Sequence, residues 1–188
     1  MNFAKSSRDI GPAGVYQYAR LEDSPVGPLW AAVGPGGLVV VEFDCTEAEF
    51  LAALLRLLQR AERNAQFQRL PCGQMPACQQ LSEYLAGQRR SFDLPIDWEI
   101  LTGFQRLALQ ATFAIPYGRT TTYAAIASQL GNPRLARAVG RAEATNPMPL
   151  VLPCHRVLGT DGKLHGYGLA EGVKTKEWLL QLEGAIFA

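Results

Sequence analysis

Residues 115–157 read IPYGRTTTYAAIASQLGNPRLARAVGRAEATNPMPLVLPCHRV, and the order of caps, glycines and prolines in this stretch decides how the second half folds. Pro116-Tyr117-Gly118 ends the helical pattern of FQRLALQATFAI (104–115). Thr120, Thr121 and Thr122 offer N-caps for a helix over YAAIASQL (123–130), which Gly131 stops. Asn132 caps and Pro133 opens a further helix, predicted to run to about Ala144. Two short helices joined by a tight glycine-containing turn outline a helix-turn-helix. On the second of them Leu135, Ala138, Val139 and Ala142 fall on one side, the core face. Arg134, Arg137 and Arg141 share another side within about 60°, beside a stripe of Ala136, Gly140 and Ala144. Such a surface suits phosphates and close approach to a groove. A solvated arginine face has the same geometry, and the helix alone does not choose between them.

Downstream, the apolar run Leu150-Val151-Leu152 reads as a buried strand leading into Pro153-Cys154-His155-Arg156-Val157, and Asp161-Gly162 turns the chain back. A cysteine at the end of a buried strand with an adjacent histidine is a candidate nucleophile. The reactive species is thiolate, and a free thiol has a pKa near 8.5, so a nearby base or positive field is required. Cys-His is not specific by itself, and a buried inert thiol is the default reading of these residues.

Upstream, the text from Gly14 to Phe43 reads as strands. VYQYARLE (15–22) alternates, SPVGPL (24–29) turns, and two apolar runs flank Gly34-Pro35-Gly36-Gly37 as a hairpin. Thr46 caps a helix through EAEFLAALLRLLQRAE (47–62). CGQMP (72–76) is a break, and ACQQLSEYLAGQ (77–88) a second helix stopped by Gly87. SFDLPIDWEI (91–100) reads as extended and marks a boundary, leaving a small α+β unit with no catalytic residue in it.

The division expected is a polar tail at 1–13, an N-terminal unit at 14–97 and a C-terminal unit at 98–188. At 188 residues the chain fits two small domains, with 48% hydrophobic and 19% charged residues. No apolar run approaches the roughly 18 residues of a membrane span, and the first residues lack a signal-peptide core, so a cytoplasmic protein is expected. Residues 1–101 carry 9 Lys/Arg and 12 Asp/Glu (net −3), and residues 102–188 carry 9 and 5 (net +4), so a polyanion would meet the second half. The cysteines at 45, 72, 78 and 154 form no CxxC pair, and the histidines stand at 155 and 165. Reduced thiols acting as small hydrophobes are the preferred reading of Cys45, Cys72 and Cys78, over a zinc site drawing on a histidine.

PCHRV, preceded by RAVGRAEATNP and followed by GYG and KEWLLQLEG, resembles the O6-alkylguanine-DNA alkyltransferase family, also called methylated-DNA–protein-cysteine methyltransferases. The resemblance runs without a gap from about Phe104 to Tyr167, and more loosely through SPVGPLWAAVGPGGLVVVEF and YLAG in the first half. It implies a ribonuclease-H-like α/β unit followed by a mostly helical, winged-helix-like domain. It implies direct-reversal repair: O6-alkylguanine is flipped from duplex DNA, approached through the minor groove, and its alkyl group passes irreversibly to Cys154 in one turnover. His155 would take the thiol proton through a water and pass it to Glu183, and Asn146 would brace the cysteine loop. Tyr123 would contact guanine N3 and the backbone phosphate, and Arg137 would fill the vacated stack. Carbonyls of Cys154 and Val157 would take the exocyclic amine, and the Gly168 amide would face O6. Ala124, Asn132 and Thr160 would make further DNA contacts. No metal or organic cofactor is implied, and the partner is double-stranded DNA, bound by a monomer that clusters along it.

Plain readings stand beside these: a half-buried Tyr123, a surface Glu183 late in a helix, an Asn146 that only turns the chain before proline. The segment GLAEGVKT (168–175) is two residues longer than the family's usual stretch, and His165 replaces a small residue; both touch the alkyl pocket. The alternative within the family is a damage sensor that binds without repair, in which another residue replaces the cysteine. A transcription factor would carry base-reading Asn or Gln on the recognition helix, and a cysteine hydrolase would need an oxyanion hole that PCHRV does not offer.

Overall fold

The computed structural model describes residues 14–162, 164, 167–168 and 170–186; the tail expected at 1–13 and His165 lie outside them. Three antiparallel strands open the chain, β1 (Gly14–Leu21), β2 (Leu29–Gly34) and β3 (Gly37–Phe43). Alternation along β1 buries Tyr16 and leaves Val15 exposed, as a half-buried strand requires. Helix α1 (Glu47–Arg60) starts at a full capping box, Thr46 accepting from the Glu49 amide while the Glu49 carboxylate accepts from the Thr46 amide. Phe50, Leu54 and Leu58, spaced one turn apart, are fully buried, and Phe50 stacks on Trp30 at 5.3 Å between ring centres. The chain then returns as β4 (Ala65–Arg69), parallel to β1, giving the order β3-β2-β1-β4. The sequence reading does not include β4, whose AQFQR carries four exposed residues of five and no apolar pattern to announce it.

Helix α2 (Pro76–Leu85) follows a short 3₁₀ turn at Cys72–Gln74. That turn folds the backbone so that Cys72 and Cys78 come within 5.4 Å at Cα and are joined as a disulfide, which corrects the expectation of free thiols at both positions. Cys45 and Cys154 are free. The segment after α2 is irregular rather than extended, apart from a bridge between Ile96 and Leu38 and a 3₁₀ turn at Trp98–Ile100. It covers the open edge of β3: the Leu38 amide donates to Pro95 and the Asp97 amide to Leu38. Gly37, at φ 116°, permits this approach, since a Cβ there would lie 2.3 Å from the Pro95 carbonyl oxygen.

The second half contains α3 (Gly103–Phe113), β5 (Thr121–Thr122), α4 (Tyr123–Gln129), α5 (Ala136–Ala144), β6 (Val157–Leu158) and α6 (Val173–Leu182). Thr122 caps α4 through the Ala125 amide, and Gly131 breaks it at φ 89°. Asn132 caps as expected, accepting from the Arg134 amide at 3.0 Å. Pro133–Leu135 is a 3₁₀ turn, so α5 starts at Ala136 rather than at the proline. Val139 is buried with Ile115, Ile126, Ala127 and Val157, while Arg134, Arg137 and Arg141 are exposed. Strands β5 and β6 pair in parallel and tie the start of α4 to the segment after Cys154.

The stretch before Cys154 differs from the strand expected. Residues 149–152 form a turn, with Leu150 in the left-handed region at φ 71°. Asn146 explains it by taking hydrogen bonds a strand would use: its Nδ2 donates to the Leu152 carbonyl at 2.8 Å and its Oδ1 accepts from the Met148 amide at 3.0 Å. Met148, Leu150, Val151 and Leu152 all enter the core built by the N-terminal sheet, and the β3 amide of Val41 donates to Pro147. The two halves therefore share this core, and the loop before Cys154 is packed into it. No helix among the described residues is long and apolar enough to cross a membrane.

Candidate active site

A 3₁₀ turn at Cys154–Arg156 buries three consecutive side chains, of which His155 is fully inaccessible. Cys154 opens on a cavity of about 370 Å³. Tyr123 of α4 and Gly140, Glu143 and Ala144 of α5 form one side of it; Asn146, Pro149, Tyr167 and Gly168 complete the lining. Burial pushes the thiol up to about 11, and the neighbouring Glu143 carboxyl adds to the effect. Asn146, Lys176 and Tyr167 pull the other way, the first and last by hydrogen bonding and the lysine by charge. The Tyr167 hydroxyl faces the thiol and has no other partner among the described residues.

Behind the cysteine lies a closed group of polar side chains. Glu183, at the C-cap of α6, accepts from His155 Nε2 at 3.0 Å, from the Tyr84 hydroxyl at 2.6 Å and from Arg156 Nη2 at 2.8 Å on Oε1. Its Oε2 accepts from Arg156 Nε and from the Gly118 amide, both at 3.0 Å. Burial alone would raise this carboxyl, but the hydrogen bonds from His155 and Arg156 outweigh it and hold it at about 2. A carboxylate has no proton to give, so the hydrogen between it and His155 belongs to Nε2. Burial lowers the pKa of His155, so the ring is neutral and Nδ1 carries the lone pair. That Nδ1 is buried and unpartnered among the described residues. Gly118, at φ 73°, allows the close pass, since a Cβ would meet the Glu183 carbonyl oxygen at 2.9 Å.

Tyr84 comes from α2, so the N-terminal unit supplies a side chain that helps to position Glu183 and His155. Lys176 is fully buried, donates from Nζ to the Val157 carbonyl at 2.6 Å and lies 5.9 Å from the Tyr123 ring centre. Among the described residues no cluster of His, Cys, Asp or Glu is placed to hold a metal ion.

The family models for 6-O-methylguanine DNA methyltransferase match both halves, the ribonuclease-like domain at 15–98 and the DNA-binding domain at 103–185. A methylated-DNA–protein-cysteine methyltransferase of Methanosarcina acetivorans is 39% identical over 168 residues, covering 89% of this chain and 99% of the relative. The chain belongs to the 6-O-methylguanine DNA methyltransferase family. The crystal structure of Mycobacterium tuberculosis O6-methylguanine methyltransferase superposes with a TM-score of 0.70 at 36% identity, covering 90% of this chain and 93% of that one. The same organism's OGT in complex with DNA superposes at 0.69 with 36% identity, over 89% of this chain and 92% of that one. The two-unit α+β architecture of this methyltransferase is thus the one its sequence implies.

Of the residues expected in its site, Cys154, Asn146, Tyr123 and Gly168 line the cavity, and His155 and Glu183 are joined behind it. Glu183 is buried, which excludes the surface reading, and Asn146 does more than turn the chain. Arg137 stands outside the cavity, exposed on an adjoining groove of about 940 Å³ that Arg56 and Arg60 of α1 and Arg141 also line. The Val157 carbonyl already accepts from Lys176, so one lone pair is left there for a second donor. Ala124 is half-buried, while Asn132 and Thr160 are exposed on turns away from the cavity. Side chains around the cysteine and histidine that were not anticipated include Tyr84, Arg156, Lys176, Glu143 and Tyr167. Each lies within a segment that carries the resemblance (YLAG, RAVGRAEATNP, PCHRV, GYG or KEWLLQLEG), but a linear motif does not say which of its residues meets the thiol or its histidine.

Proposed function

We propose that this chain repairs O6-alkylguanine in duplex DNA by direct reversal, taking the alkyl group onto Cys154 once per molecule. One observation carries the reading: a buried cysteine opens on a base-sized cavity while its neighbour His155 is held neutral, with Nε2–H on Glu183 and Nδ1 free. Nδ1 accepts the thiol proton through a water molecule, and Glu183 stabilises the imidazolium that forms. The thiolate attacks the alkyl carbon in line with the C–O bond, an S–C bond forms, and the guanine leaves with the electron pair. The thioether has no low-barrier route back, hence one turnover.

The target base is stacked, so it is extruded at a cost of a few kcal/mol that pocket contacts offset. Tyr123 meets the base edge and the adjacent phosphate, Arg137 fills the vacated stack, Asn146 holds the cysteine loop against α5, and the Gly168 amide faces O6. The carbonyls of Cys154 and Val157 take the exocyclic amine. Ala124, Asn132 and Thr160 touch the backbone. The stripe Ala136, Gly140, Ala144 admits the minor groove, whose degenerate code suits lesions that occur in any sequence. The working units are 14–97 and 98–188, and the protein acts in the cytoplasm as a monomer that clusters on DNA.

The test is mass spectrometry after incubation with an O6-methylguanine duplex. About 14 Da is expected, added once, on the peptide carrying Cys154, because a methyl replaces the thiol hydrogen. Binding with no gain in mass makes the chain a damage sensor, and repeated turnover rejects the suicidal scheme. Arg137→Ala is expected to slow duplex repair far more than reaction with free O6-benzylguanine; equal losses on both remove its role in the stack.

A further inference from the structure

Glu143 is a charged residue on the inner side of α5, 6% exposed, and it lines the cavity into which Cys154 opens. Its Oε1 is engaged by the Thr112 hydroxyl of α3 at 2.5 Å, a shorter contact than the one that hydroxyl makes to the Ala108 carbonyl at 3.1 Å. Its Oε2 is buried and has no hydrogen-bond partner among the described residues. A buried, half-satisfied carboxyl is costly unless something completes it. The scheme above does not use it.

We propose that Glu143 is a further residue of the alkyl-transfer reaction, acting as a neutral carboxylic acid whose Oε2–H donates a hydrogen bond to an acceptor atom of the O6-alkylguanine in the pocket. The inference rests on the function proposed above. An O6-alkylated guanine presents O6 and ring nitrogens as acceptors and has lost its N1 hydrogen. As the C–O bond breaks, the electron pair stays on the base, and a donor in the pocket wall stabilises that charge. The hydrogen bond strengthens toward the transition state, while the proton need not leave Glu143.

The surroundings favour the neutral form. Thr112 faces Glu143 from α3, Lys176 from α6 and Tyr123 from α4, with Cys154 across the cavity. Lys176 is the only cation among these, and it is committed to the Val157 carbonyl. A carboxylate here would oppose the thiolate that the reaction needs in the same dry recess. Burial outweighs the Thr112 hydrogen bond and the Lys176 charge, and raises Glu143 to about 7.

The test is the second-order rate constant for methyl transfer from an O6-methylguanine duplex, measured from pH 6 to pH 8 for the wild type, Glu143→Gln and Glu143→Met. Such a constant reports ionisations of the free protein. Glutamine is a permanent donor, so dividing its rate by the wild-type rate cancels the titrations that Glu143 does not influence, and the upward push of its carboxylate on Cys154 acts on the ratio in the same direction. That ratio is expected to rise about tenfold between pH 6 and pH 8 as the wild-type acid ionises. Should glutamine not fold, the Glu143→Met ratio carries the same test, rising by the same factor from a lower start because the donor is missing. A ratio flat with pH, or one that falls, overturns the inference while repair itself stands. No methyl transfer by the wild type at any pH overturns the proposed function and this inference with it.

Discussion

Glu183→Gln is expected to lower the unfolding free energy by about 3–5 kcal/mol, the usual cost of stripping one partner from a buried ion pair. At roughly 2–4 °C per kcal/mol for a chain of this size, the melting temperature should fall by about 10 °C. The geometry explains the size. Glu183 collects hydrogen bonds from His155, Tyr84, Arg156 and the Gly118 amide, and its side chain is fully inaccessible. A glutamine has one acceptor oxygen where two are used, and its amide hydrogens would point at donors. Arg156, with 8% side-chain exposure, keeps its charge and loses its counterion.

The double variant Glu183→Leu with Arg156→Met should recover part of that stability, since removing both charges leaves none buried alone, and should still fail in alkyl transfer. Recovery of both would show that the carboxylate serves only the fold. The pH dependence has a definite sign. A carboxyl held at about 2 in the fold, against an ordinary 4.5, contributes about 3 kcal/mol above the ordinary value. That contribution is lost as pH falls from about 4.5 to about 2, so acid unfolding of the wild type should centre in this window. Calorimetry across the window checks it, and a stability flat from pH 5 to pH 2 would sink the argument.

His155→Ala is expected to slow methyl transfer by about 10²–10⁴-fold, the range for losing a positioned general base. Burial holds the Cys154 thiol at about 11, so at pH 7 only about one molecule in ten thousand is spontaneously a thiolate. Without the histidine the reaction has only that fraction to draw on. Measured in a Glu143→Gln background, which removes that acid's own ionisation, the variant's rate should therefore climb about tenfold per pH unit between 7 and 10. The same background with His155 intact, whose base is neutral throughout this range, should climb far less steeply. The difference in slope separates a chemical role from damage to packing, because a cavity left by the lost ring would lower the rate equally at every pH. Equal slopes would assign His155 to the core alone.

Much of the scaffold was legible along the chain. Thr46 with Glu49, Thr122 and Asn132 announce helix starts through short polar side chains that satisfy free amides, a purely local requirement. Gly131 and Gly37 of the hairpin mark turns for the equally local reason that φ is positive there. Strand β4 was not legible, because an exposed edge strand is defined by its partner β1 and not by its own AQFQR. The 149–152 turn was misread as a strand because its apolar residues are buried by a core contributed from the other half. Burial of that kind leaves no period.

The sequence by itself determined the family, the candidate nucleophile Cys154 with its neighbour His155, and the helix-turn-helix outline, since these rest on short-range spacing and on a motif whose order survives in one dimension. Tertiary structure alone decided the chemistry around them. It carries Tyr84 from α2 and Glu183 from the end of α6 to one imidazole, across 71 and 28 residues of chain. It also buries Glu143 beside the thiol and spends Lys176 on a carbonyl. Proton affinities depend on desolvation and on charges a few ångströms away in space, and neither quantity has a local signature in a chain of residues.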